Sequence, residues 1–250
     1  MKNIFIISFF SFLLLGFTSC VKDNPLDILV PDVGLTEEEV ANGLKEALTV
    51  GTDTSVSIVS SLDGFYKDDL IKILLPPEAN TIIENISYVP GGEKLVSDVI
   101  LLLNRSAEDA AKEAKPIFVN VVTSMTIEDA FSILQGEDTS ATYYLKKNSY
   151  SQLKELFQPK INVSLNKPLL AGVSTNEAWN TLQTAYNTVA NNGGVLLGIS
   201  PITPISLDEY AANKALYGLF SKIAIEEKSI RKDPAARVTD LLKKVFGSVF

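Results

Sequence analysis

Three polar residues near the middle of the chain have the types and the spacing of a side-chain cluster on one helix. Asn104 and Glu108 are four residues apart, and Arg105 follows Asn104 directly. Residues three or four apart are neighbours on a helix surface, so an amide, a carboxylate and a guanidinium would come together there. Such a cluster either binds a ligand or forms a buried hydrogen-bond network that fixes helix packing. We expect the buried network.

A second polar cluster lies near the C-terminus. Glu227 and Arg231 are four residues apart, and so are Asp233 and Arg237. Each pair could form an ion pair on one helix face, and an exposed pair of this kind contributes only about 0.2–0.5 kcal/mol. The planar guanidinium of Arg forms two hydrogen bonds to a carboxylate, so it could join two helices or bind an anionic or peptide group. We expect a structural network, with a binding patch as the alternative.

The residue types that the chain lacks exclude several kinds of chemistry. It has no histidine and one cysteine, which excludes Ser-His-Asp and Cys-His catalysis, H-E-x-x-H zinc sites and imidazole proton transfer. Two-carboxylate and Ser–Lys hydrolysis are compatible with the composition, but the catalytic residues stay unassigned. We predict no metal site and no cofactor. The 30 acidic and 22 basic residues give a net charge of −8, which does not suit nucleic-acid binding.

The only cysteine, Cys20, stands at the end of an N-terminal export signal. Lys2 precedes an apolar run that ends at Thr18-Ser19, a pattern that is typical of a signal peptide and short for a membrane-spanning helix. Residues 17–20, Phe-Thr-Ser-Cys, resemble the lipobox of bacterial lipoproteins, with Phe in the place of the usual Leu. We therefore predict a signal peptide over residues 1–19 and lipidation of Cys20. An ordinary signal peptide and an uncleaved anchor helix are the alternatives.

Lipidation would determine where the protein lies. Residues 20–33 contain two prolines and no clear hydrophobic period, so we interpret them as a tether between the lipid and the folded domain. A single acyl chain gives only marginal membrane binding, whereas several chains give a stable anchor. We expect a cell-envelope protein that is bound to the membrane through its N-terminal lipid, in the outer membrane and facing the periplasm.

Residues 34–250 are predicted to form a single helical domain. Apolar residues recur at helical spacing, and capping signals such as Thr36 with Glu39 and Ser149 with Gln152 mark helix starts. No segment shows a convincing strand pattern. The predicted fold class is therefore all-α, a multi-helix bundle of about eight to ten helices with short connections. The predicted helices cover residues 37–61, 78–87, 93–115, 116–124, a segment after Thr126, residues 138 or 139 to about 147, a segment from 149, residues 175–191, 206–229 and a segment after Pro234.

Three stretches of the chain resemble an uncharacterised bacterial family, the domain of unknown function 4197. They are residues 104–118 (NRSAEDAAKEAKPIF), residues 125–145 (MTIEDAFSILQGEDTSATYYL) and residues 207–247 (LDEYAANKALYGLFSKIAIEEKSIRKDPAARVTDLLKKVFG). The resemblance extends over residues 34–247. It implies an exported, often lipid-anchored helical protein, and it carries over no catalytic residue because the family's activity is unknown.

These observations favour a non-enzymatic envelope lipoprotein that binds an envelope protein or a small ligand. Two alternatives stay open: a hydrolase of envelope polymers that uses carboxylates or a Ser with a Lys, and a carrier of apolar ligands within the bundle. Perturbed carboxylate pKa values in a cleft would favour the hydrolase. A large dry cavity would favour the carrier, and a patch of aromatic and Arg side chains would favour the binding protein.

Overall fold

The computed structural model describes residues 35–249, and within them almost all regular structure is helical. This confirms the predicted all-α class and the predicted number of helices. The signal peptide, the tether and the lipidation site Cys20 lie outside the described residues. The helices are α1 (Glu37–Ser60), α2 (Asn80–Glu84), α3 (Gly92–Ala111), α4 (Lys115–Thr123), α5 (Ile127–Leu134), α6 (Ser140–Asn166), α7 (Thr175–Asn191), α8 (Asp208–Lys232) and α9 (Asp240–Val249).

Helices α1, α3, α6 and α8 form the centre of the bundle. α6 packs against α3 and α8, and α1 packs against α8. Each helix buries one apolar stripe because its apolar residues recur every three or four positions. Burial of one leucine side chain contributes about 1.5–3 kcal/mol, so these stripes hold the four helices together. The most buried leucines of the stripes include Leu44, Leu103, Leu153 and Leu216.

Helices α6 and α8 run antiparallel along one side of the bundle. At the start of α6, the Ala141 N–H donates a hydrogen bond of 2.9 Å to Glu227, near the end of α8. Farther along α6, the ammonium of Lys154 lies 2.8 Å from the carboxylate of Glu209, in the first turn of α8. The two helices therefore follow each other for about 20 Å.

Helix α6 is one continuous helix where the sequence predicted two. The predicted second start, Ser149 with Gln152, has the spacing of a capping box, but Ser149 is buried inside the helix and its hydroxyl donates to the Leu145 carbonyl at 2.5 Å. A serine that bonds to the carbonyl four residues earlier is accommodated within a helix. The buried stripe from Leu145 to Leu153 continues across the position, and tertiary packing therefore overrides the local signal.

A short β-hairpin connects α6 to α7, although no strand was predicted. Strand β1 (Pro168–Leu170) pairs antiparallel with β2 (Val173–Ser174). Ala171 and Gly172 between them have φ angles of 50° and 79°, the left-handed conformation that a tight turn requires. Strands of three and two residues are too short to show an alternating pattern. Helix α7 then begins with a capping box and matches its predicted range.

Within residues 35–249, no single helix is both long enough and apolar enough to cross a membrane. The segments 92–123 and 127–134 reach that length and composition only when they are taken together, across a bend of 105°.

Candidate functional site

The Asn104 cluster is a buried network that connects α3 to the irregular segment between α1 and α2. The Asn104 side chain donates to the Ile73 carbonyl at 2.8 Å and accepts from the Ile73 N–H at 2.9 Å. Both residues are buried. A buried backbone group without a hydrogen bond is costly, and Asn104 provides both bonds that a neighbouring strand would otherwise supply.

Glu108 and Arg105 fix the same segment one turn farther along α3. The Glu108 carboxylate accepts the backbone N–H groups of Phe65 at 3.1 Å and Tyr66 at 3.2 Å. Arg105 donates to Glu108 at 2.6 Å and to Asp63 at 2.5 Å. The single guanidinium thus bridges the two carboxylates, and Lys67 forms a second ion pair with Asp63 at 2.8 Å. The first predicted cluster therefore positions residues 61–76 against α3, and its groups are occupied by one another and by backbone.

Helix α6 receives its N-terminal cap from helix α8. The N-cap residue Thr139 makes no side-chain hydrogen bond to the helix. Glu227 instead accepts the N–H groups of Ala141 at 2.9 Å and Thr142 at 2.8 Å, and the Thr142 hydroxyl at 2.8 Å. A carboxylate suits this position because the first N–H groups of a helix have no partner of their own and carry partial positive charge. Asp138 and Thr139, where the sequence predicted this helix to begin, therefore do not supply its cap.

Arg231 joins Glu227 to the end of α5. Its Nε and Nη2 atoms lie 3.0 Å and 2.9 Å from Glu227 Oε1. The guanidinium also donates to the carbonyls of Ile133 at 2.8 Å and Leu134 at 3.3 Å, where α5 ends. Arg231 is only 3% exposed and Glu227 only 7%. The pair that the spacing predicts does form, and it is buried.

The predicted pairing of Asp233 with Arg237 does not form. Arg237 donates to the carbonyls of Ile230 at 3.0 Å and Arg231 at 2.9 Å, at the end of α8. Asp233 is exposed and accepts the Ala235 N–H at 2.9 Å. Residues 234–236 form a 3-10 turn, so the spacing of four does not place the two side chains together. Arg237 is buried like Arg231 and Glu227, which favours the structural interpretation of this cluster over the binding patch.

Neither cluster offers the groups that the hydrolase or the carrier would need. Each described lysine that forms a hydrogen bond or ion pair does so with a carboxylate, not with a serine hydroxyl. The described residues contain no group of three or more Asp, Glu, His or Cys that could hold a metal ion. The apolar cavity beside Arg231 has a volume of about 20 Å³, which accommodates about one water molecule.

An open groove lies between α6 and α8 on the described surface. Its volume is about 580 Å³, within the range of small-molecule sites. Thr142, which Glu227 holds at the start of α6, forms part of its wall. Among the described residues, no Asp or Glu lines it. We call it the Tyr–Lys groove and define it by Tyr143, Lys146 and Tyr150 on α6 and Asn213, Lys214 and Tyr217 on α8.

Each wall of the Tyr–Lys groove carries an exposed tyrosine three residues from a lysine. Tyr143 and Lys146 lie on α6, and Lys214 and Tyr217 lie on α8. Tyr143 is 68% exposed and Tyr217 is 56% exposed. Because residues three apart share one side of a helix, each wall presents an accessible aromatic ring next to an ammonium group.

The two lysines of the groove are held by aromatic rings and not by carboxylates. Lys146 Nζ lies 5.9 Å from the centroid of the Tyr150 ring, and Lys214 Nζ lies 5.7 Å from the centroid of the Tyr210 ring. Neither lysine has a carboxylate within 4.0 Å, whereas ten other described lysines do. Exposed cation–π contacts contribute only about 0.5–1 kcal/mol, so both ammonium groups remain available to an anion.

The floor of the groove combines an aromatic contact with an unsatisfied acceptor. Phe220 packs against Tyr150 with ring centroids 6.3 Å apart, and edge-to-face against Phe118 at 5.7 Å. The Oδ1 atom of Asn213 is buried and has no hydrogen-bond partner in the described structure. Most buried polar atoms in proteins have a partner, but this oxygen is buried from solvent, so a ligand in the groove does not reach it as the groove stands.

A second groove on the other side of Tyr143 has a different character. Its volume is about 560 Å³, and it is lined by Asp129 and Glu137 as well as Lys147. The backbone N–H of Thr126 is the main cause of the lowered pKa of Asp129, which caps α5 and accepts the Tyr144 hydroxyl at 3.2 Å. The Asp129 carboxylate of this second groove therefore serves the fold, and the mixed charge of the lining gives no preference for one kind of ligand.

The Tyr–Lys groove was not among the sites predicted from the sequence. The sequence does contain a related pattern. In each of the segments 143–150 and 210–217, a lysine stands between two tyrosines that are seven residues apart. The sequence alone does not indicate that α6 and α8 are neighbours or which residues face each other. The polar clusters were predicted as candidate sites because of their charged residues, yet most of those side chains are buried in the structure.

Comparison with known proteins identifies a family for the chain but does not indicate an activity. No curated protein and no solved structure matches the chain. The model of the family described as "Protein of unknown function (DUF4197)" matches residues 34–247, which covers both polar clusters and the Tyr–Lys groove. The chain therefore belongs to the DUF4197 family of proteins of unknown function.

Proposed function

We propose that this chain is a lipid-anchored cell-envelope protein that binds an anionic ligand, without catalysis, in the Tyr–Lys groove. The single observation that carries the proposal is the charge of the groove. Its lining includes two lysines and no carboxylate, although the whole chain has a net charge of −8. A local cationic surface on an acidic protein attracts anions selectively.

The chemistry of the groove supports binding better than hydrolysis. Hydrolysis by two carboxylates needs acidic residues on both sides of the scissile bond, and the groove lining has none. A serine nucleophile needs a base within hydrogen-bond distance. The groove's serine, Ser221, donates its hydroxyl to the Tyr217 carbonyl at 2.8 Å, which is the ordinary bond of a serine within a helix.

The location follows from the N-terminal sequence. An apolar run ends at the only cysteine, Cys20, and each acyl CH₂ group buried in a membrane contributes about 0.8 kcal/mol. Several acyl chains would hold the domain permanently at the envelope. The ligand is therefore an envelope component or a solute of the periplasm.

The proposal is tested by photo-crosslinking in intact cells. A photoreactive phenylalanine analogue replaces Tyr217 in the groove, and in a control protein it replaces Tyr88, which is also exposed but outside the groove. We expect an adduct at position 217 and none at position 88, with the captured ligand released uncleaved. Equal adducts at both positions, or none at 217, would contradict binding in the groove, and a cleaved ligand would favour the hydrolase.

A further inference from the structure

The geometry points to a linear β-linked glycan that carries carboxylate groups as the ligand of the Tyr–Lys groove, an inference that rests on the function proposed above. It depends on the order in which the two Tyr/Lys pairs follow each other along the groove. It also depends on the match between the aromatic rings and ammonium groups of the groove and the C–H face and carboxylate of one sugar ring.

The two pairs have opposite order in the sequence and the same order in space. Tyr143 precedes Lys146 on α6, whereas Tyr217 follows Lys214 on α8. The helices are antiparallel, as the contacts at the two ends of the groove establish. In the direction of the C-terminus of α6, each wall of the groove therefore presents a tyrosine first and a lysine second.

The offset between the two pairs suits adjacent units of a polymer. The α6–α8 contacts place Tyr217 opposite residues 146–151 of α6, which is about 5–12 Å beyond Tyr143 along the helix axis. One or two sugar rings span this distance. Successive rings of a β-1,4-linked glycan present opposite faces, so one ring can stack on Tyr143 and a following ring, turned over, on Tyr217.

A sugar acid supplies a partner for each exposed group of the groove. The C–H face of the sugar ring packs on the ring of a tyrosine. The face of an aromatic ring is negatively polarised and attracts the positively polarised C–H groups. The carboxylate of the sugar acid can reach the lysine three positions from that tyrosine. An acidic peptide would supply carboxylates but no flat C–H face. A neutral glycan would leave Lys146 and Lys214 without anions.

Calorimetric titration of the full-length lipidated protein in detergent tests the inference. The acidic probes are hexamers of β-1,4-mannuronate and of the alternating N-acetylglucosamine–N-acetylmuramic acid glycan, which distinguish a uronate polymer from a cell-wall glycan as the source of the carboxylates. The neutral probe is β-1,4-mannohexaose, which has the mannuronate backbone without carboxylates. Hexaglutamate supplies the charge without the sugar.

We expect at least one acidic glycan to bind, mannohexaose to bind at least tenfold more weakly, and hexaglutamate to show no binding. Tyr143→Ala and Tyr217→Ala should each weaken binding about tenfold, whereas Tyr88→Ala and Lys112→Gln, both outside the groove, should leave it unchanged. Binding of neither acidic glycan, or equal binding of mannohexaose or hexaglutamate, would overturn the inference. If the adduct at position 217 forms and proves to be a polypeptide, the inference fails while the proposed function stands.

Discussion

Glu227 accepts two hydrogen bonds from Thr142, one from its backbone N–H and one from its hydroxyl, both at 2.8 Å. Thr142 also lines the Tyr–Lys groove. A buried carboxylate on α8 thus fixes the first turn of the helix that forms the opposite wall of the groove. We therefore expect the cluster of Glu227 and Arg231 to position the residues of the groove and not to contact a ligand itself.

Loss of the buried ion pair should destabilise the fold strongly. Removing one partner of such a pair costs about 3–5 kcal/mol, because the other charge is left buried without compensation. We expect Arg231→Ala to lower the unfolding free energy by this amount and the melting temperature by roughly 10 °C, and Arg237→Ala to lower the melting temperature by several degrees. Lys94→Ala, which breaks an exposed pair with Asp98, is the control and should cost about 0–1 kcal/mol. Unchanged melting of both arginine variants, combined with loss of the crosslink at position 217, would make this cluster the binding site instead.

The Asn104 network should hold residues 61–76 in place. Asn104→Ala leaves the buried N–H and carbonyl of Ile73 without partners, and each unsatisfied group costs about 1–3 kcal/mol. We expect faster limited proteolysis within residues 61–76 and lower stability in urea. The control is Asn162→Ala on the exposed side of α6, which should change neither. A proteolysis pattern identical to that of the unmodified protein would contradict the role assigned to Asn104.

Stability should depend on pH in acid and not near neutrality. A hydrogen bond with Lys67, followed by one with Arg105, lowers the pKa of Asp63 below its ordinary value of 3.8. A carboxylate whose pKa is lower in the folded state stabilises the fold above its unfolded pKa, and this stabilisation is lost as the pH falls through the folded pKa. We expect urea unfolding midpoints to be constant from pH 6 to 8, since the chain has no histidine, and to fall below about pH 4.

Asp63→Asn provides the check on that assignment. The variant should be less stable than the unmodified protein at pH 7, and the difference between them should shrink as the pH is lowered into the acid range, because protonation removes the charge that Lys67 and Arg105 stabilise. A difference that is the same at both pH values would show that the charge of Asp63 does not contribute.

Membrane attachment should depend on Cys20. We expect Cys20→Ala to abolish labelling by a fatty-acid probe and to move the protein out of the membrane fraction, because the acyl chains supply the binding energy. Lys22→Ala, two residues away, should leave both unchanged. A Cys20→Ala protein that stays membrane-bound through washing would contradict the lipoprotein interpretation and favour an uncleaved anchor helix.

The sequence predicted the helices well where a local signal agrees with the packing. The Thr36–Glu39 capping box starts α1, and the helix around Trp179 has its predicted range. The sequence-based prediction of helix boundaries failed where residues far apart in the sequence determine them. Ser149 has the local pattern of a helix start, but the buried stripe of α6 continues past it, and the cap of α6 comes from Glu227, whose position in the sequence is far from that helix.

The same reason explains why the groove could not be predicted. The Tyr/Lys spacings are visible in the sequence, but they acquire meaning only when α6 and α8 pack antiparallel with a defined register. Charge and spacing identified Glu227 with Arg231 correctly as a pair, and they could not indicate that Asp233 would be separated from Arg237 by a 3-10 turn.

Reversing the charge of the Tyr–Lys groove tests whether the groove binds an anion. The photoreactive residue stays at position 217, and the adduct yield is measured in the Lys146→Glu/Lys214→Glu protein and in a control with Lys112→Glu, an exposed lysine outside the groove. Both proteins should melt within a few degrees of the unmodified one, since none of these lysines forms an ion pair within 4.0 Å. We expect the adduct to disappear in the double variant and to persist in the control. An adduct of undiminished yield in a folded double variant would contradict anion binding in the groove.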